Sequence, residues 1–190
     1  MATELAPAAR GGAFTTKDRL EILISGFGGQ GVVRMGQILG LAAIHAGSKV
    51  TMLKSHGTET RGGYVRAQVV ISPGYVDSPV VEHADFMVAF SQSAYNKFYD
   101  LAVGKLLYDP ELVQSIRQDA PERHVCVPAT QLSKDNFNNS ALFANSIMLG
   151  ALTKLAEFDV AAVNQAMLET LPRFHEANVK AFAMGCNLLL

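Results

Sequence analysis

The sequence predicts an α/β fold: a mostly parallel sheet with helices on both faces and a helical C-terminal segment. Three observations carry this. A short β-branched run near the N-terminus feeds a glycine cluster and then a stretch at helical spacing; further short apolar runs follow, separated by turn signals; and from Phe137 onward apolar residues recur at helical spacing. The 190 residues suit one large domain better than two, and no linker-like stretch divides them.

Residues 1–18, rich in Ala, Gly and Thr and without the apolar segment of a secretory signal, read as a flexible arm ahead of a single domain over 19–190. Leu20 to Ser25 is a strand that runs into the turn Gly26-Phe27-Gly28-Gly29-Gln30-Gly31. A helix follows from Val32 and stops before Gly47, which suits the residue after a helix C-cap. Lys49 to Leu53 is the next strand, so these elements form a β-α-β unit with parallel strands and a right-handed crossover. Tyr64 to Ser72 reads as a strand half-exposed at its start, Ala84 to Phe90 as a buried central strand, and Leu106–Tyr108 and His124–Val127 as short strands with a helix between them starting near Pro110. A long helix over 137–157 and two shorter ones flanking Pro172 complete the chain.

Composition narrows the function. Lys and Arg total 16 and Asp and Glu 17, so only 17% of residues are charged, against about 25% in an average soluble domain. The net charge of -1 and pI near 6.5 exclude a general nucleic-acid or anionic-membrane binder. Mean hydropathy is +0.17, yet no run approaches the roughly 20 apolar residues of a membrane span. A surface this short of charge fits a large core or coverage by partner subunits. The two cysteines, Cys126 and Cys186, have no CxxC spacing, cannot by themselves hold an iron–sulfur cluster or structural zinc, and read as small buried hydrophobes of a reducing cytoplasm.

Gly26, Gly28 and Gly31 satisfy GxGxxG between a strand and a helix. There, glycine lets backbone N–H groups approach a diphosphate at the positive helix end; the alternative is a tight turn without ligand. An NAD site needs an acid at the end of the second strand, and Lys54 stands there instead, as would suit a ribose phosphate of NADP or coenzyme A, or a solvated strand end. Lys54 to Gly63 also concentrates His56, Glu59, Arg61, Gly62 and Gly63 at the carboxyl end of a strand, where open α/β sheets bind ligands. Arg61 can grip a phosphate or carboxylate; otherwise the segment is a polar loop with an Arg61–Glu59 pair. The five histidines show no metal-ligand spacing, and no nucleophile–base arrangement is apparent.

The run Ser25-Gly26-Phe27-Gly28-Gly29-Gln30-Gly31-Val32, then Gly36-Gln37-Ile38-Leu39, Glu59-Thr60-Arg61-Gly62-Gly63, Val69–Ser72, Ser78-Pro79 and Ala84-Asp85, resembles the gamma subunit of 2-oxoacid:acceptor (ferredoxin) oxidoreductases. The resemblance covers Ile22 to the final helices. It implies a Rossmann-like module in a cytoplasmic hetero-oligomer that oxidatively decarboxylates a 2-oxoacid to its acyl-CoA. Thiamine diphosphate with Mg2+ would sit between the alpha and beta subunits, and iron–sulfur clusters on the beta or a ferredoxin-like subunit. By analogy, Gly26, Gly28, Gly29, Gln30 and Gly31 would contact the coenzyme A diphosphate, and Lys54, Arg61, Gly62 and Gly63 the 3′-phosphate or a neighbouring subunit. No catalytic residue is implied on this chain. Where many members carry an aromatic and a proline, this sequence has Ser55-His56-Gly57-Thr58. Two other readings stay open: an assembly subunit with an empty glycine loop, and an NADP-dependent reductase acting alone.

Overall fold

Six strands, β1 (Leu20–Phe27), β2 (Lys49–His56), β3 (Tyr64–Ser72), β4 (Ala84–Ala89), β5 (Ala102–Tyr108) and β6 (His124–Cys126), form one sheet in the order β2-β3-β1-β4-β5-β6, in a computed structural model that describes residues 14–56 and 64–189. β3 is antiparallel to both β1 and β2, whereas β1, β4, β5 and β6 pair in parallel, so one strand alone runs against the rest. The sheet is mostly parallel, as expected. The β-α-β unit is altered: β1 and β2 share a direction but are not neighbours, because β3 returns between them and pairs with both, Ser25 opposite Arg66 and Arg66 opposite Ser55. β3 is half-buried at Tyr64 and Arg66, the alternation expected at its start, and is interior and buried from Ala67 to Ser72.

Six helices, α1 (Val32–His45), α2 (Gln92–Phe98), α3 (Ala129–Asn136), α4 (Ala144–Leu155), α5 (Val160–Thr170) and α6 (His175–Asn187), cover the sheet unequally. Ile22, Ile24, Ala67, Val69 and Val88 on one face pack with α1, α4, α5 and α6; Leu23, Val70 and Met87 on the other meet Tyr95 and Phe98 of the short α2 and Tyr99 beyond it. Gly47 follows the α1 C-cap with φ +84°, the left-handed backbone anticipated there.

Several expectations fail for local reasons. No helix forms after Pro110: Leu112 and Val113 donate to the Asp109 carbonyl for one turn, and the Gln92 side chain then takes the N–H groups of Gln114 and Ser115. The helix expected over 137–157 begins only at Ala144, because Asn138 and Asn139 adopt left-handed backbone that ends α3. Cys186 is buried but Cys126 is exposed on the edge strand β6. The apolar C-terminal stretch turns inward, with Ala181, Phe182, Gly185 and Cys186 buried in α6. Of the arm, residues 1–13 lie outside the described residues; Phe14 is buried and stacks on Phe158 with ring centroids 4.3 Å apart, and Lys17 pairs with Asp85. Among the described residues no helix is long and apolar enough to cross a membrane.

Candidate functional site

From β1 the chain departs on one side through α1 to β2, while β4 lies on the other, so the topological switch point falls at the carboxyl ends of β1 and β4, where open α/β sheets hold ligands. The glycine turn 28–31 sits there. Gly29 (φ +91°) and Gly31 (φ +81°) occupy backbone that side-chain-bearing residues avoid, and neither Gly28 nor Gly29 has an atom within 4 Å of where a Cβ would stand. α1 starts from Gly31 with no side-chain cap and no acid in its first turn, and its first internal bond is Met35 N–H to the Gly31 carbonyl at 2.9 Å. Its N-terminal N–H groups thus present a partial positive charge to the solvent.

The Gln30 side chain braces the turn. Its Oε1 accepts from Phe27 N–H at 2.6 Å and its Nε2 donates to the Phe90 carbonyl at 2.8 Å, tying the turn to the end of β4. A Cβ on Gly26 would lie 2.4 Å from that Oε1, so Gly26 is the space the Gln30 amide fills. Gly31 is held from the other side, where its Cβ would be 2.1 Å from Nδ2 of Asn145 in α4.

Two clefts border the turn and a third adjoins them at Asn145. One of about 480 Å³ is lined by Phe27, Gly28, Gly29, Arg34, Gln37 and Val65. A second, about 340 Å³, lies in the switch crevice among Gln30, Phe90, Leu112, Thr130 and Asn145. The third, about 370 Å³, runs between Asn145 and the α5–α6 turn with Arg173 and Phe174. All fall in the size range of small-molecule sites. Arg34 Nη1 donates to the Thr170 carbonyl at 3.2 Å, which fixes its guanidinium beside the first cleft.

Gly28, Gly29, Gln30 and Gly31 are therefore together, with Gly26 beneath them. Lys54 is exposed inside β2, opposite Ala67 and with β3 between its strand and β1, and it lines none of these clefts. Arg61, Gly62 and Gly63 lie outside the described residues. Arg34, Gln37, Asn145, Arg173 and Phe174 escaped sequence reading. Arg34 and Gln37 had a local signal, three and six residues past Gly31 on α1; Asn145, Arg173 and Phe174 come to the site through tertiary packing. Among the described residues no group of three His, Cys, Asp or Glu is placed to hold a metal.

Residues 21–188 match the pyruvate ferredoxin/flavodoxin oxidoreductase family. The chain belongs to this family. This oxidoreductase subunit is 37% identical over 182 residues to the 2-oxoglutarate synthase subunit KorC of Methanothermobacter marburgensis, an alignment covering 90% of the chain and 97% of KorC. Its fold matches the gamma subunit of a keto/oxoacid ferredoxin oxidoreductase from Geobacter sulfurreducens PCA with a TM-score of 0.75 and 32% identity, covering 88% of the chain and 94% of that subunit. It is thus a gamma-type subunit. It also overlays 31% of the length of a chain of the 2-oxoglutarate:ferredoxin oxidoreductase from Magnetococcus marinus, whose structure holds 2-oxoglutarate, coenzyme A and succinyl-CoA, with a TM-score of 0.77, 90% of this chain covered and 24% identity. That likeness is one of fold.

Proposed function

We propose that this subunit binds coenzyme A for a cytoplasmic 2-oxoacid:ferredoxin oxidoreductase, with the diphosphate at Gly28, Gly29 and Gly31. The observation that carries the reading is the open glycine turn before an uncapped, acid-free helix start, beside a cleft that also presents Arg34. A diphosphate satisfies free N–H groups and the helix dipole together, and a guanidinium adds charge-assisted hydrogen bonds. Arg61, Gly62 and Gly63 lie outside the described residues and keep the role the resemblance implies, a contact to the nucleotide or to a partner subunit; Lys54, outside the clefts, is left for a partner contact.

The reaction takes a 2-oxoacid and coenzyme A to acyl-CoA and carbon dioxide, and the electron pair released leaves through iron–sulfur clusters to ferredoxin. The name of the KorC relative makes 2-oxoglutarate the first substrate to test. Thiamine diphosphate with Mg2+ on the alpha and beta subunits supplies the decarboxylation chemistry. Two cysteines, one exposed on β6 and one buried in α6, are no donor set for a cluster, so the clusters belong to the beta or the ferredoxin-like subunit. This chain's work is to hold the nucleotide so that the thiol reaches the partner's active site. The reading as an NADP reductase needs Lys54 at the ribose, and its place in β2 weighs against that.

Gly29→Asp tests the reading. The new side chain has room, and although φ +91° strains any side chain there, Asp is among the residues that suffer it least, so the complex should still assemble. Its carboxylate would repel the diphosphate, and the KM for coenzyme A should rise about tenfold or more, equivalent to at least roughly 1.4 kcal/mol. An unchanged KM in a fully assembled complex would leave the chain as an assembly subunit only.

A further inference from the structure

The cleft between α4 and the α5–α6 turn contains an unusual residue. Phe174 precedes α6 with φ +59° and ψ +37°, a left-handed conformation in which a bulky side chain is an outlier. Its ring is 60% exposed. Buried polar groups enforce this arrangement: Ser146 of α4 donates to Asn178 Oδ1 at 2.7 Å, and Asn178 Nδ2 donates to the Phe174 carbonyl at 2.9 Å. Ser146 and Asn178 are 4% and 7% exposed, so the fold spends two buried side chains on holding a strained aromatic outward. His175 Nε2, 2.6 Å from the Leu171 carbonyl, closes the same turn. Arg173, which precedes Phe174 in sequence, is exposed, as is Glu176 in the first turn of α6.

This cleft shares Leu142 and Asn145 with the crevice that borders the glycine turn. Asn145 lines it, lines the switch-point crevice and touches Gly31; among the described residues its amide nitrogen donates to nothing. Leu171 of the cleft follows Thr170, the residue that fixes Arg34. A nucleotide whose diphosphate lies at Gly28–Gly31 therefore has, within one step of the phosphates, an apolar hollow with an exposed aromatic face, an unengaged amide and a free guanidinium.

We propose that this cleft takes the adenosine end of coenzyme A, with the base stacked on Phe174, Asn145 bonding the nucleotide and Arg173 gripping the ribose 3′-phosphate. This rests on the coenzyme A reading above and specifies where the nucleotide's second anchor lies. The stacking face and the guanidinium read different parts of the ligand, so they separate by experiment.

The complex of the full chain with its partner subunits is assayed with coenzyme A and with 3′-dephospho-coenzyme A. Phe174→Asn keeps a residue suited to the left-handed turn, so the melting temperature should hold while KM rises about tenfold for both compounds. Arg173→Ala should raise KM about tenfold for coenzyme A and leave that for the dephospho compound unmoved. If both variants leave KM unchanged while Gly29→Asp raises it, the adenosine assignment is wrong and the diphosphate reading stands. If none of the three alters it, the coenzyme A reading itself falls. A Phe174→Asn chain that folds yet no longer joins its partners makes the ring a subunit contact and also overturns the assignment.

Discussion

At the residue scale, the informative case is Gln30, which sequence reading placed among the ligand contacts and whose side chain braces the turn through Phe27 and Phe90. Gln30→Ala leaves an N–H and a carbonyl without their partners, a loss of about 1–3 kcal/mol for each that stays buried. The expected result is a lower urea midpoint with an unchanged m-value, together with a higher KM for coenzyme A because the loop loses its set position. The glycines were legible because only glycine accepts the backbone of a turn like this one, and that requirement is local. The role of Gln30 was not, since its partner Phe90 is sixty positions away in sequence.

At the element scale, α4 and α6 meet through glycine. A Cβ on Gly150 would lie 2.1 Å from the Phe182 carbonyl oxygen, and one on Gly185 would lie 1.8 Å from that of Ile147, so the two backbones are nearly in contact. Gly150→Val should force the helices apart and lower stability by roughly 1–3 kcal/mol, read as a drop in thermal midpoint by far-UV circular dichroism. The same contact buries Ala181, Phe182, Gly185 and Cys186 of the apolar C-terminal stretch within the chain, while Leu188 stays exposed. Helix and strand types were legible wherever periodicity was local, as in β1, α1, α5 and α6. The place of β3 between β1 and β2 was not, because strand order depends on pairings that no short window contains. The short helices α2 and α3 were missed too. Their ends are set by side-chain bonds such as Ser91 accepting from Ala94 N–H and buried Asp109 accepting from Thr130 N–H.

At the scale of the whole molecule, the edge of the sheet formed by β5 and β6 determines alkaline behaviour. Burial, the largest cause for each, pushes the Tyr95, Tyr99 and Tyr108 hydroxyls above the ordinary tyrosine range. A raised native pKa means the stabilisation is complete below the unfolded value, near pH 10, and is lost as pH climbs through the native values. Thermal midpoints should therefore fall steeply above about pH 10. Tyr99→Phe, which removes the hydroxyl that donates to Asp119 and accepts from Arg123, should flatten that fall; an equally steep fall in the variant would remove Tyr99 from the explanation. The scarcity of charge seen in the composition reflects, in large part, a core on both sides of one sheet. The strand order also governs how the chain acquires its fold. β1 precedes the other described strands, yet its partners are β3 and β4, so it has no neighbour until residues 64–72 and then 84–89 exist. The expectation is that the local β2–β3 hairpin forms first and β1 docks onto it afterwards, which pulsed hydrogen exchange would read as earlier protection of β2 and β3 than of β1. The glycine turn at the end of β1, which needs Phe90 to be braced, is thus among the later features to become ordered.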